Sequence, residues 1–162
     1  MSRRAVDLIE LIKGELRVPK SVLSFDARKR QACNFVSHAH GDHIGRHDRV
    51  IATTATLALM RERLKGKLGG EALPVEYQTP FGLGDLTVEL FSAGHVLGSA
   101  QIRVSRNGAS LCYTGDFCLE PTLTAEPTQP VKCDFLVMES TFGMPRYVFP
   151  PKDEVLASIR RF

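Results

Sequence analysis

Apolar and polar positions alternate in short blocks along this chain, and the period changes from block to block. Between Val6 and Leu16 the apolar residues recur at helical spacing, which predicts a helix over about 4–15. Short apolar runs near 19–26 and 33–37 predict strands. Cys33-Asn34-Phe35-Val36 reads as a buried one. Arg49–Thr53 predicts another strand, followed by a helix from Thr54 to about Lys65 with Thr53 or Thr54 as its cap. Further strands are expected at 86–91 and 100–105. Asn107-Gly108 is a tight-hairpin signal leading into strand 109–114. A connection rich in Pro and Thr, Glu120–Pro130, reaches a strand over 134–138, and a helix begins near Lys152 and is still running at Phe162. No internal repeat or low-complexity segment interrupts this α/β pattern.

The chemistry concentrates in Ser37-His38-Ala39-His40-Gly41-Asp42-His43-Ile44-Gly45. Four potential metal ligands fall within six residues, in a chain with five histidines. Gly41 and Gly45 permit a sharp turn behind the apolar run, so His38, His40, Asp42 and His43 share one loop at a strand's C-terminal end. A helix start near Asp42 is expected and would add partial positive charge suited to anionic ligands. Mixed imidazole and carboxylate donors suit zinc, and also manganese or iron. The alternative is a polar surface loop with incidental histidines, which the spacing and the preceding strand argue against. His47, outside the run, is expected to be exposed.

This H-x-H-x-D-H run resembles the metallo-β-lactamase superfamily. The resemblance implies a further histidine in a Gly-His turn and an aspartate ending a later strand. Gly94-His95, in Phe91–Ala100, and Gly115-Asp116, in Leu111–Phe117, stand in that order. Each alone is ordinary turn chemistry. Two more features resemble the β-CASP nuclease branch, which processes RNA 3′ ends or trims DNA ends. The G-H-V-L-G-S-A stretch is written as that branch writes it, and Val131–Gly143 is a strand pattern ending in Glu139-Ser140-Thr141-Phe142-Gly143. Ser24-Phe25-Asp26-Ala27 resembles the family's opening strand with its aspartate. For Glu139 the competing reading is a helix cap beside Ser140 and Thr141.

The resemblance implies a four-layer αββα sandwich of two similar halves, with a dinuclear site at the edge between them. Residues 1–162 would supply the first half and a little more. The β-CASP cap and the segment returning the final metal histidine are expected beyond Phe162, which makes this the N-terminal part of a longer enzyme. By resemblance, His38, His40 and His95 hold one zinc, Asp42 and His43 a second, and Asp116 bridges them. One strong zinc site is expected in this chain and two ions in the complete enzyme. The implied reaction is attack on phosphorus by a hydroxide activated between two zinc ions, with Asp42 orienting the water and taking its proton. Asp26 would fix a ligand histidine's tautomer, and Glu139 would help position a cap histidine of the acid machinery.

Composition adds less. With 43% hydrophobic and 24% charged residues the chain can bury a core. No run approaches the roughly 18 apolar residues of a membrane span, and Met1-Ser2-Arg3-Arg4 leads into no secretory h-region. Cysteines 33, 112, 118 and 133 form no C-x-x-C pair; Cys33 and Cys112 fall in strand patterns and read as small buried thiols of a reducing cytosol. A net charge of +3 is compatible with nucleic acid without arguing for it. Arg61, Arg63, Lys65 and Lys67 read as a solvated helix end or as phosphate contacts. The expected function is that of a metal-dependent nuclease, an exonuclease acting on RNA or DNA. The alternatives are a thioesterase- or lactonase-type hydrolase of the same superfamily and an inactive metal-binding fragment. Self-association through an uncovered half-sandwich is also expected.

Overall fold

The computed structural model describes residues 8–162. Two sheets pack face to face. The first has six strands in the order β1 (Glu10–Ile12), β2 (Glu15–Arg17), β3 (Leu23–Phe25), β4 (Cys33–Phe35), β5 (His47–Ala52) and β6 (Gly69–Pro74). Strands β1 to β3 run antiparallel and β3 to β6 run parallel. The second sheet runs β11 (Phe135–Val137), β10 (Ala109–Tyr113), β9 (Ala100–Arg106), β8 (Leu86–Ser92) and β7 (Phe81–Leu83). Its pairs are antiparallel except β10 with β11.

Strand alternation decides which layer each residue joins. Phe35 and Ile51, paired across β4 and β5, enter the core between the sheets with Leu23, Phe25, Leu90, Ile102, Val104 and Leu111. Their neighbours Val36, Val50 and Ala52 point the other way, onto Leu57 and Met60 of helix α1 (Thr54–Arg63). Burial on both faces is why β5 carries the apolar run Val50-Ile51-Ala52 rather than an alternation. Thr53 caps α1, its side chain accepting from the Thr56 N–H at 3.2 Å. Asn107-Gly108 turns β9 into β10 with both residues at positive φ, 51° and 73°, as a two-residue type I′ hairpin demands.

Helix α1 covers the outer face of the first sheet. The outer side of the second sheet near β10 and β11 shows Leu136 and Met138, each more than half exposed, and helix α2 (Lys152–Arg160) buries none of its residues. The fold is α/β, as expected.

Three expectations are corrected. The helix over 4–15 is, over its described part, the β1–β2 hairpin, and residues 1–7 lie outside the described residues. Lys13-Gly14 supplies a turn with φ of 52° and 83°, and tertiary pairing of β2 with β3 overrides the helical spacing. No helix starts at Asp42. Residues 41–43 make a single turn closed by His43 N–H donating to the His40 carbonyl at 3.1 Å. His47 is buried, not exposed, because it opens β5 and its ring accepts from the Gln31 N–H at 3.2 Å.

Candidate metal centre

The ligand loop leaves the first sheet where β4 ends. The Val36 N–H donates to the Ile51 carbonyl at 2.9 Å, extending the pairing by one residue. Ser37 is then tied on both sides. Its N–H donates to Asp26 Oδ1 at 2.7 Å, and its carbonyl accepts from the Ala100 N–H of the opposite sheet at 2.8 Å. His38 and His40 therefore leave the seam between the sheets on a fixed backbone.

His95 sits in the loop between β8 and β9. That loop is closed by the Ala93 N–H to the Ser99 carbonyl at 3.0 Å, while Ser99 Oγ accepts from the His95 and Val96 N–H groups at 3.0 and 3.2 Å. Asp116 follows β10, whose pairing is carried one residue further by the Thr114 N–H to the Val137 carbonyl. Gly115, between them, has φ +55°, and a Cβ there would lie 2.4 Å from that of Ser37. The chain can bring Asp116 to the histidines only because this position has no side chain.

The donor atoms of His38, His40, His95 and Asp116 all lie within 4.8 Å of one another. His38 Nε2 is 2.9 Å from His40 Nδ1, which is 3.3 Å from His95 Nε2. Asp116 divides its carboxylate: Oδ2 is 3.8 Å from both His38 and His95 Nε2, and Oδ1 is 3.5 Å from His43 Nε2. Asp42 Oδ2 lies 3.6 Å from the same His43 nitrogen. Three imidazole nitrogens aimed at one point need a cation or a proton between their lone pairs. These separations match the roughly 3.3 Å between donors of a tetrahedral ion with 2.0–2.1 Å bonds. The residues fit a metal.

Neighbouring groups set each ring's tautomer. Ser37 Oγ stands 2.6 Å from Asp26 Oδ2 and 3.0 Å from His38 Nδ1. The hydroxyl donates to the carboxylate, so it accepts from Nδ1–H, and Nε2 of His38 is left with its lone pair facing the centre. Asp26 Oδ2 also accepts from His43 Nδ1 at 2.9 Å, which turns His43 Nε2 towards Asp42 and Asp116. The Tyr113 hydroxyl donates to the same oxygen at 2.9 Å.

Burial, then the neighbouring histidines, push His38 down to about 3, so it is neutral and ligand-competent at neutral pH. Burial also lowers His95, against the pull of Asp116. At His43 burial acts downward too, but the Asp26 hydrogen bond and the charges of Asp26, Asp116 and Asp42 outweigh it and raise the ring. Asp42 is held below the usual carboxylate range, chiefly by a backbone hydrogen bond, although it is largely solvent-exposed.

Asp26 and Glu139 are not among the four converging donors. Asp26 stands behind His43, its Oδ2 accepting from the ring Nδ1. Glu139 accepts from the Phe117 and Thr141 N–H groups, each at 3.3 Å; Phe117 directly follows Asp116, and Glu139 stands at no helix terminus. Desolvation pushes Glu139 up, but these hydrogen bonds and His95 prevail and keep it below its ordinary value. Ser37 and Tyr113 went unread in the sequence. A serine preceding the histidines and a tyrosine in a strand carry no signal until the two sheets meet over Asp26.

Residues 35–151 match the family model described as the metallo-beta-lactamase superfamily. The chain belongs to that superfamily. It is 41% identical over 153 residues to a probable DNA ligase of Opitutus terrae, covering 91% of this chain and 14% of that protein. It is 33% identical to the RNase aCSPSF2 of Saccharolobus solfataricus over 67% of this chain and 28% of that one. Ribonuclease TTHA0252 of Thermus thermophilus is 30% identical over 74% of this chain and 33% of its own length. The chain thus spans a third or less of each relative. Its nuclease relatives belong to the β-CASP branch that the E-S-T-F-G run resembles. Among the described residues no helix is long and apolar enough to cross a membrane.

Proposed function

We propose that this superfamily domain carries the metal centre of a zinc-dependent phosphodiesterase that trims DNA ends as an exonuclease. The supporting observation is the convergence of three imidazoles with a carboxylate whose two oxygens face different histidines. His38, His40 and His95 would hold one ion, Asp42 and His43 a second, and Asp116 would serve both. When bound, the metal supplies Lewis acidity that lowers the pKa of water and neutralises charge on phosphoryl oxygens. Asp42, largely exposed and held below the usual carboxylate range, would orient the attacking water and accept its proton. Asp26 holds His43 in the tautomer that leaves Nε2 free. Glu139, kept ionised, acts as an acceptor that positions a donor and not as the acid itself.

The relative named as a DNA ligase favours DNA, since its polypeptide carries a segment like this one beside a DNA-joining activity. The two relatives named as ribonucleases support RNA as the second reading. Zinc-loaded protein incubated with end-labelled DNA and RNA oligonucleotides, and with a thioester and a lactone, tests the reading. Slow stepwise release of nucleotides from DNA ends, abolished by Asp116→Ala, is expected of these 162 residues. Hydrolysis of the thioester or lactone with both nucleic acids untouched would overturn it.

A further inference from the structure

Beside the metal centre lies a depression of about 300 Å³ with His40 on its wall, shared by α1 and the loop between β8 and β9. Leu59 and Arg63 of α1 face it, four residues apart and so on one side of the helix. Val96 and Leu97, directly after the ligand His95, form the opposite wall. Leu59 is 38% and Leu97 50% exposed.

These leucines are exposed because the fold holds them there. Gly98 has φ +77°, and a Cβ on it would lie 2.7 Å from Ala55 Cβ and 2.8 Å from Thr53 Oγ1. The Gly98 carbonyl accepts from the Thr53 and Thr56 hydroxyls at 2.7 and 2.9 Å, and its N–H donates to Glu126 Oε2 at 3.1 Å. The loop is thus bolted to the start of α1, and both apolar walls are fixed before any ligand arrives. Among the described residues no carboxylate pairs with Arg63. The result is a small apolar pocket with an uncompensated guanidinium at its edge and a metal-ligand ring as its inner wall. Its volume lies at the low end of the range of about 300–1,000 Å³ for ligand sites, which suits a single nucleoside.

We infer that this pocket receives the base and sugar of the nucleotide whose phosphate sits at the metal centre, with Arg63 facing the next phosphate of the strand. The inference rests on the phosphodiesterase reading for the phosphate's position. Apolar walls take the faces of any base, so the pocket recognises a nucleoside without choosing a sequence. Arg63 supplies a charge-assisted contact to the flanking phosphate.

Binding of dAMP and of inorganic phosphate to zinc-loaded protein, followed by calorimetry and by NMR of labelled leucine methyls, tests this. dAMP should bind at least about tenfold more tightly than phosphate, and it should shift the Leu59 and Leu97 methyls where phosphate does not. Leu97→Asn should erase that advantage and leave phosphate affinity unchanged, while Leu97→Asp should erase it and lower phosphate affinity as well through its added charge. Arg63→Glu should weaken a dinucleotide carrying a second phosphate by about tenfold. Equal affinities for dAMP and phosphate, or a Leu97→Asn variant that keeps the preference, would overturn the pocket. The two readings fail separately. A protein that binds dAMP this way and cuts no nucleic acid keeps the pocket and loses the nuclease. One that trims DNA equally well with Leu97→Asn keeps the nuclease and loses the pocket.

Discussion

At His38 and His43, the ring nitrogen that faces the centre is chosen by the one that does not. Both choices pass through Asp26, directly to His43 and by way of Ser37 to His38. Asp26→Asn keeps the volume and removes the charge, so both histidines lose their anchored tautomer. Zinc affinity, read by competition with a chelator, should fall about 10–100-fold, while Tyr113→Phe, which spares both rings, should cost less. The same residues make the metal-free protein acid-sensitive. His38 has a folded value of about 3 against an ordinary 6.5, so its contribution to stability is full above about 6.5 and is lost as pH falls towards 3. His47, lowered chiefly by burial, acts in the same direction. His43 is raised, so its contribution is present below its ordinary value and fades as pH rises through the folded one. With the His38, His47 and His95 rings lowered against one raised, the melting temperature of chelator-treated protein should drop between pH 7 and pH 5. His47→Gln should flatten that slope.

Among the elements, β4 holds the ligand loop, and Phe35 is its anchor in the core between the sheets. Phe35→Ala should cost about 3–5 kcal/mol in a denaturant titration, because the cavity opens where both sheets meet and cannot collapse. Strands such as β4, β5, β8, β9 and β10 were legible in the sequence because burial on one or two faces wrote a period or a solid apolar run into them. So was α1, through its cap at Thr53. The metal loop was legible because ligand chemistry admits few residue types. The hairpin at Lys13-Gly14 was hidden because Ile9, Ile12 and Leu16 fit a helical period as well as two short strands. Strands β6 and β7 were hidden for another reason. Gly69–Pro74 begins with two glycines and ends in proline, and it is held by pairing with β5 rather than by its own propensity. The burial of His47 could not be read because nothing local distinguishes a histidine opening a parallel strand from one in a loop.

At the scale of the whole molecule, one helix layer and two sheets enclose the core, while Leu119, Leu136, Met138, Phe142 and Phe149 remain more than half exposed on the side of β11 and the segment after it. Apolar surface of this extent drives association, and β11 at the sheet edge adds unpaired backbone. Sedimentation of the 162-residue chain should therefore show oligomers, and Leu136→Lys combined with Met138→Lys should shift it towards monomer. A monomeric parent chain would count against this face being sticky. The seam between the sheets has a different consequence. The Ala100 amide reaches across to the Ser37 carbonyl, one residue ahead of His38. Opening that bond pulls the His38 loop away from the sheet that carries His95 and Asp116. An ion held from both sides is therefore a clasp. In the metal-free protein the Ala100 amide should exchange with deuterium through a local parting of the sheets, and with zinc bound it should exchange only when the whole domain unfolds.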